Sequence, residues 1–120
     1  MGGCTCGKVR YQVDGEPNRV GICHCTSCRQ ETGSVFMAFA VWPRTAFSFS
    51  GETRIWEGRS FCPNCGSRLF SIGDDEVEIK IGTLDDAPTG LTPQYELWIG
   101  RREEWLHPLP DARQFAHDRE

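Results

Sequence analysis

The 120 residues suffice for one domain and leave no room for a catalytic domain beside a regulatory one. With 38% hydrophobic and 25% charged residues the composition is globular, and the longest apolar run, Val35 to Trp42, falls far short of the roughly 20 residues that span a bilayer. A net charge of −4 without any Lys/Arg-rich run argues against a nucleic-acid partner, and no basic-then-apolar leader precedes the chain, so membrane and export roles are not expected.

In chain order the pattern is short strands and turns. Lys8 to Val13 alternates, with Val9, Tyr11 and Val13 on one face. Thr26 to Thr32, stopped by Gly33, is expected to form a turn or two of helix. Val35 to Trp42, ending at Pro43, reads as a well-buried strand. Phe47 and Phe49 alternate with serines before Gly51, and Thr53 to Trp56, Arg68 to Ile72 and Glu76 to Ile81 follow as strands. Gly82 to Asp86 is a turn, Gln94 to Ile99 a late strand, and Asp111 to His117 a short helix with Asp111 as its N-cap. The prediction is a single, mostly β domain spanning residues 1–120.

Seven cysteines are the anomaly. An odd number cannot pair off, and without an export signal the expected compartment is the reducing cytoplasm, so metal ligation or thiol chemistry remains. They fall in three groups: Cys4-Thr5-Cys6, Cys23-His24-Cys25-Thr26-Ser27-Cys28 and Cys62-Pro63-Asn64-Cys65-Gly66. Zinc at about 2.3 Å from each sulfur needs sulfurs roughly 3.8 Å apart, which sequence-local pairs reach readily. In the last group Pro63 presets the turn and Gly66 can take the positive φ that follows it. A structural zinc wants four protein ligands and a catalytic one keeps three, so the count divides naturally into four and three. Cys4, Cys6, Cys62 and Cys65 would close one site, leaving Cys23, Cys25 and Cys28 for the other. A rival partition joins Cys25/Cys28 to Cys62/Cys65 as a zinc ribbon, but it strands three thiols and needs a long 33-residue gap.

Gly2-Gly3-Cys4-Thr5-Cys6-Gly7, Arg10-Tyr11, Cys23-His24-Cys25-Thr26-Ser27-Cys28-Arg29, Gly33, Phe61-Cys62-Pro63-Asn64-Cys65-Gly66-Ser67 and Gly82-Thr83-Leu84-Asp85 together resemble the glutathione-dependent formaldehyde-activating (GFA, or CENP-V/GFA) family. The resemblance runs from residue 2 to about Phe115 and agrees with the four-plus-three partition. It implies a β-tent (Mss4-like) fold of antiparallel sheets around a structural zinc held by Cys4, Cys6, Cys62 and Cys65. It also implies a catalytic zinc on Cys23, Cys25 and Cys28, hence two ions per chain. The implied activity is that of a carbon–sulfur lyase acting on glutathione and formaldehyde. Against the family pattern, few residues precede the first motif and the Gly51–Phe61 connection is short, which alters a wall of the cleft.

Three thiolates around Zn²⁺ leave a formal charge of −1, a poorer Lewis acid than a histidine-bound ion but a suitable partner for a fourth, soft thiolate. A zinc-deaminase reading fails because the H-x-E and P-C-x-x-C patterns are both missing. The alternative class is a non-catalytic, zinc-stapled binding or chaperone-like module, for which three further clustered thiols would be surplus. His24, between two ligands, would close the second site if it ligated, but its side chain is expected to turn away from the metal that its neighbours face. Glutathione carries two carboxylates, and eleven of the 13 basic residues are Arg. Arg29, one residue past the second site, is the candidate substrate contact, and Arg59 and Arg68 flank the Cys62 turn. Ser27 and Glu31 are candidate proton handlers, whereas Asp74-Asp75 and Asp85-Asp86 belong in turns, and His107 and His117 at the surface.

Overall fold

The computed structural model describes residues 1–119, and they fold around two sheets. Strands β1 (Gly2–Gly3), β2 (Arg10–Val13) and β5 (Phe47–Ser50) form a small antiparallel sheet in the order β1-β2-β5, with Tyr11 opposite Phe49 and Val13 opposite Phe47. The large sheet comprises β3 (Arg19–Cys23), β4 (Met37–Pro43), β6 (Arg54–Trp56), β7 (Arg59–Phe61), β8 (Arg68–Ile72), β9 (Glu76–Lys80), β10 (Tyr95–Leu97) and β11 (Arg113–Gln114). Its order is β11-β10-β3-β4-β9-β8-β7-β6. The mainly β class and the β-tent arrangement are as the resemblance implies, with one correction. The large sheet is mixed, because β10 runs parallel to both β3 and β11.

Strand β4 explains its own uninterrupted apolar sequence. Ala40 and Trp42 face a core with Val9, Tyr11, Phe47, Leu69, Phe70, Val77 and Ile79, while Met37, Phe39 and Val41 face a second cluster with Cys23, Cys28 and Tyr95. A strand buried on both faces has no polar face to alternate with. Phe70 anchors the first core, edge-on to Tyr11 at 5.9 Å and to Phe47 at 4.9 Å between ring centroids. Each such large side chain withdrawn from water contributes about 1.5–3 kcal/mol.

The helix α1 (Thr26–Thr32) lies where the sequence predicts it and ends at Gly33, whose φ is 71°. The helix expected over Asp111–His117 is absent. Asp111 has φ 64°, which no α-helical N-cap adopts, and the Arg113 and Phe115 N–H groups donate to Gln94 and Glu96 carbonyls as strand β11. Strand β3 escapes a pattern reading because Val20, Gly21, Ile22 and Cys23 are all buried. Gly21 is required there, since a Cβ would sit 2.7 Å from the Tyr95 ring. The short Gly51–Phe61 connection becomes the β6–β7 hairpin, and the few residues before the first motif still pair as β1. Among the described residues no helix is long and apolar enough to cross a membrane.

Candidate functional site

Two thiol clusters form where separate turns meet. Cys4 and Cys6 lie in the turn between β1 and β2, and Cys62 and Cys65 in the turn between β7 and β8, so the first cluster joins the small sheet to the large one. The four sulfurs lie within 4.8 Å of one another, with Cys4–Cys6 at 3.5 Å and Cys6–Cys62 at 3.7 Å. These separations match the roughly 3.8 Å edge of a tetrahedral thiolate site, and all seven cysteines are free. The Cys62 turn closes through Gly66 N–H to Cys62 O at 2.8 Å, and Gly66 has φ 79°. The Ser67 hydroxyl, 3.3 Å from Cys65 Sγ, leads the backbone donors that hold the Cys65 thiol down at about 5.

Cys23 ends β3, Cys25 caps α1 by accepting the Cys28 N–H at 3.3 Å, and Cys28 sits in the first turn of that helix. Their sulfurs also lie within 4.8 Å of one another. Donation from Cys28 holds the Cys23 thiol at about 6 against the cost of burial, and the same donation together with burial pushes Cys28 up. The structure thus gathers the four and the three separately and does not bring Cys25 and Cys28 to Cys62 and Cys65.

His24 turns away from its neighbours' sulfurs. Its ring is fully buried and Nε2 donates to Glu96 Oε1 at 2.8 Å, while Nδ1 has no partner. Glu96 Oε2 accepts the Leu109 N–H at 2.8 Å and Gln114 Nε2 at 3.0 Å, and Arg102 stands 3.4 Å from Oε1. Burial opposes ionisation of Glu96, but the bonds from Gln114, Leu109 and His24 prevail and hold its carboxyl at about 2.

A cavity of about 320 Å³ opens over Cys23, Cys25 and Cys28, bounded by Glu31, Glu57, Arg59 and Glu78 among others. Glu31, partly buried with its side chain 8% exposed, bridges two cations, Arg59 Nε at 2.9 Å and Lys80 Nζ at 2.9 Å. Burial pushes the Glu78 carboxyl up. Arg29 points elsewhere, donating to Arg101 O at 2.9 Å and Glu103 Oε1 at 2.7 Å; the guanidinium in the cavity wall is that of Arg59. Ser27 lines an adjoining groove. Asp85 pairs with Arg10, and His107 and His117 are exposed, the latter edge-on to Trp98 at 4.6 Å. Sequence reading missed Glu96 and Lys80; for Glu96 the available signal was a lone charge between Tyr95 and Leu97, whereas Lys80 ends a strand that also carries Glu76 and Glu78 and gave none.

A tent of two β-sheets carries a four-thiol and a three-thiol cluster, each of which could hold a metal ion. The chain belongs to the family described as glutathione-dependent formaldehyde-activating enzyme, which it matches over residues 1–101. It is also similar to a Schizosaccharomyces pombe protein described as an uncharacterized lyase, 30% identical over an aligned stretch of 74 residues, with 58% of this chain and 54% of that protein covered. The match therefore spans about half the length of that curated relative. A crystal structure of a Rhodobacter sphaeroides protein is similar in fold, with a TM-score of 0.58 at 19% identity over 77% of this chain and 96% of that one.

Proposed function

We propose that this protein is a zinc-dependent carbon–sulfur lyase that forms or breaks the adduct between a thiol of the glutathione type and a small aldehyde such as formaldehyde. The observation that carries this reading is the three-sulfur cluster at the wall of a cavity, with the intervening histidine engaged by Glu96 instead of completing the cluster. Cys23, Cys25 and Cys28 would hold the catalytic ion, and Cys4, Cys6, Cys62 and Cys65 a structural one. When bound, zinc on three thiolates supplies an open, soft position at which a thiol is held deprotonated.

In the synthetic direction the sulfur forms a bond to the aldehyde carbon, the carbonyl π pair moves to oxygen, and that oxygen takes up the proton the thiol released. Cys25, through its bond to the Cys28 N–H, and the His24–Glu96 pair fix the orientation of the cluster. Glu78 lines the same cavity with its carboxyl pushed up by burial, which suits it to carry that proton. Seven free cysteines support a cytoplasmic, reducing location.

The test is metal content by mass spectrometry together with exchange NMR on glutathione and formaldehyde. Two zinc ions per chain and exchange faster than in buffer are expected. Cys25→Ser should stay folded, retain one ion and lose the acceleration; a wild type that does not exceed the buffer rate refutes the assignment.

A further inference from the structure

The register of the large sheet sets Cys23 between two apolar side chains. Leu97 on β10 stands opposite it on one side and Met37 on β4 on the other, and residues paired in this way project from the same face of a sheet. Two residues back along β3, on that same face, Gly21 has no side chain, and Phe39 and Tyr95 from the same neighbouring strands meet there, edge-on at 6.0 Å. Met37, Phe39 and Leu97 all line the cavity over the three cysteines, whereas Glu31, Arg59 and Glu78 enter it from α1, β7 and β9. The Cys23 side of the cluster therefore opens onto a hydrocarbon wall.

Trp98 extends that wall by breaking the strand rule. Alternation along β10 would send the residue after Leu97 to the opposite face of the sheet. Trp98 instead takes φ 56° and ψ 48°, left-handed values that make a bulky residue a genuine outlier, and it lines the same cavity. Its backbone N–H donates to His117 O at 3.1 Å and its indole Nε1–H to Asp118 Oδ1 at 3.0 Å, so backbone and side chain are both held in place. The residue packs against the cluster of Cys23, Met37 and Phe39. Strain of this kind persists where the placement of a side chain serves a site.

The cavity of about 320 Å³ has room for roughly ten waters, and the two heavy atoms of formaldehyde fill a small part of it. Resting on the thiol-adduct reading above, we infer that Met37, Phe39, Leu97 and Trp98 form a subsite for the hydrocarbon tail of the aldehyde, with Trp98 setting the preference, so that the favoured partner is a short-chain aliphatic aldehyde. The step itself is unchanged. The sulfur bonds to the carbonyl carbon, the π pair moves to oxygen, that oxygen takes the proton the thiol released, and the alkyl group on the same carbon lies against the apolar wall.

Propanal and butanal have nearly equal intrinsic reactivity, so their comparison isolates the tail. On the zinc-loaded full chain with glutathione, kcat/KM for adduct formation should be about tenfold higher for butanal, as expected for one methylene in an apolar pocket. Trp98→Asn, whose side chain tolerates the left-handed backbone, should bring that ratio close to one, and Trp98→Phe should retain most of it. Propanamide and butanamide carry the carbonyl but are not attacked by thiols, and they probe the subsite without the reaction. Butanamide should shift the NMR signal of the Trp98 indole N–H, identified by its loss in Trp98→Phe, at about tenfold lower concentration than propanamide. Circular dichroism and zinc content confirm that each variant is folded.

Equal kcat/KM for the two aldehydes, a folded Trp98→Asn protein that keeps the wild-type ratio, or an indole signal indifferent to both amides would each overturn the proposal. Accelerated adduct formation that does not depend on tail length overturns the subsite and leaves the lyase reading intact. Tail-dependent amide binding at Trp98 without acceleration for any aldehyde overturns the lyase reading and leaves the apolar subsite standing.

Discussion

The buried His24–Glu96 pair offers the sharpest test of how the three-cysteine loop is held. Glu96→Gln keeps the shape of the side chain but converts one of its acceptor ends into a donor. That end then faces either His24 Nε2–H or the Leu109 and Gln114 donors, and one pair of donors is left opposed. The size of the loss follows from the carboxyl itself. Its native value of about 2 against an ordinary 4.5, at 1.36 kcal/mol per pH unit, corresponds to about 3 kcal/mol of stabilisation at neutral pH.

For a chain of this length that converts to a fall of about 12 °C in the thermal midpoint, read by circular dichroism on the zinc-loaded protein at pH 7. Since the folded-state value lies below the unfolded one, the stabilisation is complete above about pH 4.5 and is lost as the pH falls toward 2. The gap between wild type and variant should therefore be flat from pH 8 to 5 and close only below that. His24 lies between two of the clustered cysteines, so release of its ring should also weaken metal retention at that cluster about tenfold. A fall of less than about 4 °C at pH 7, or a gap that closes near neutrality, would refute the reasoning.

Two further perturbations address the scaffold. Cys62→Ser removes one of four sulfurs from the cluster that joins the sheets, and since a structural zinc is worth roughly 10–16 kcal/mol, the variant should be unfolded by circular dichroism at 25 °C. Gly51→Ala should lower stability by about 3 kcal/mol in urea titration, because Gly51 has φ +100° and an added Cβ would stand 2.1 Å from the Lys8 carbonyl oxygen, a backbone atom that cannot move aside.

The parts of the molecule legible in the sequence are those whose causes are local. The cysteine clusters announce themselves because paired sulfurs two or three positions apart already satisfy half of a metal site, and β2, β5 and β9 alternate because each has two unlike faces. The buried electrostatics were not legible. His24 finds Glu96 across 72 residues, and Glu31 bridges Arg59 and Lys80 from another element entirely, pairings that no periodicity encodes. Proximity in sequence singled out Arg29 as the substrate contact, but α1 directs it to Arg101 and Glu103, and the strand order puts Arg59 on the cavity wall instead. The expected helix at Asp111–His117 failed because a free edge on β10 draws those backbone donors into a strand.

The segment that identifies the family and the segment that folds are not the same length. The family match closes at residue 101, yet Arg102, Leu109 and Gln114 complete the shell around Glu96, and Phe115 packs against the cluster of Cys23 and Cys28. A chain cut at the family boundary would present a desolvated carboxylate to an opened interior, with nothing behind the histidine that steadies the cysteine loop. The tail thus acts as the back wall of the three-cysteine cluster, and relatives that agree throughout the shared segment can still differ in how firmly that cluster is braced.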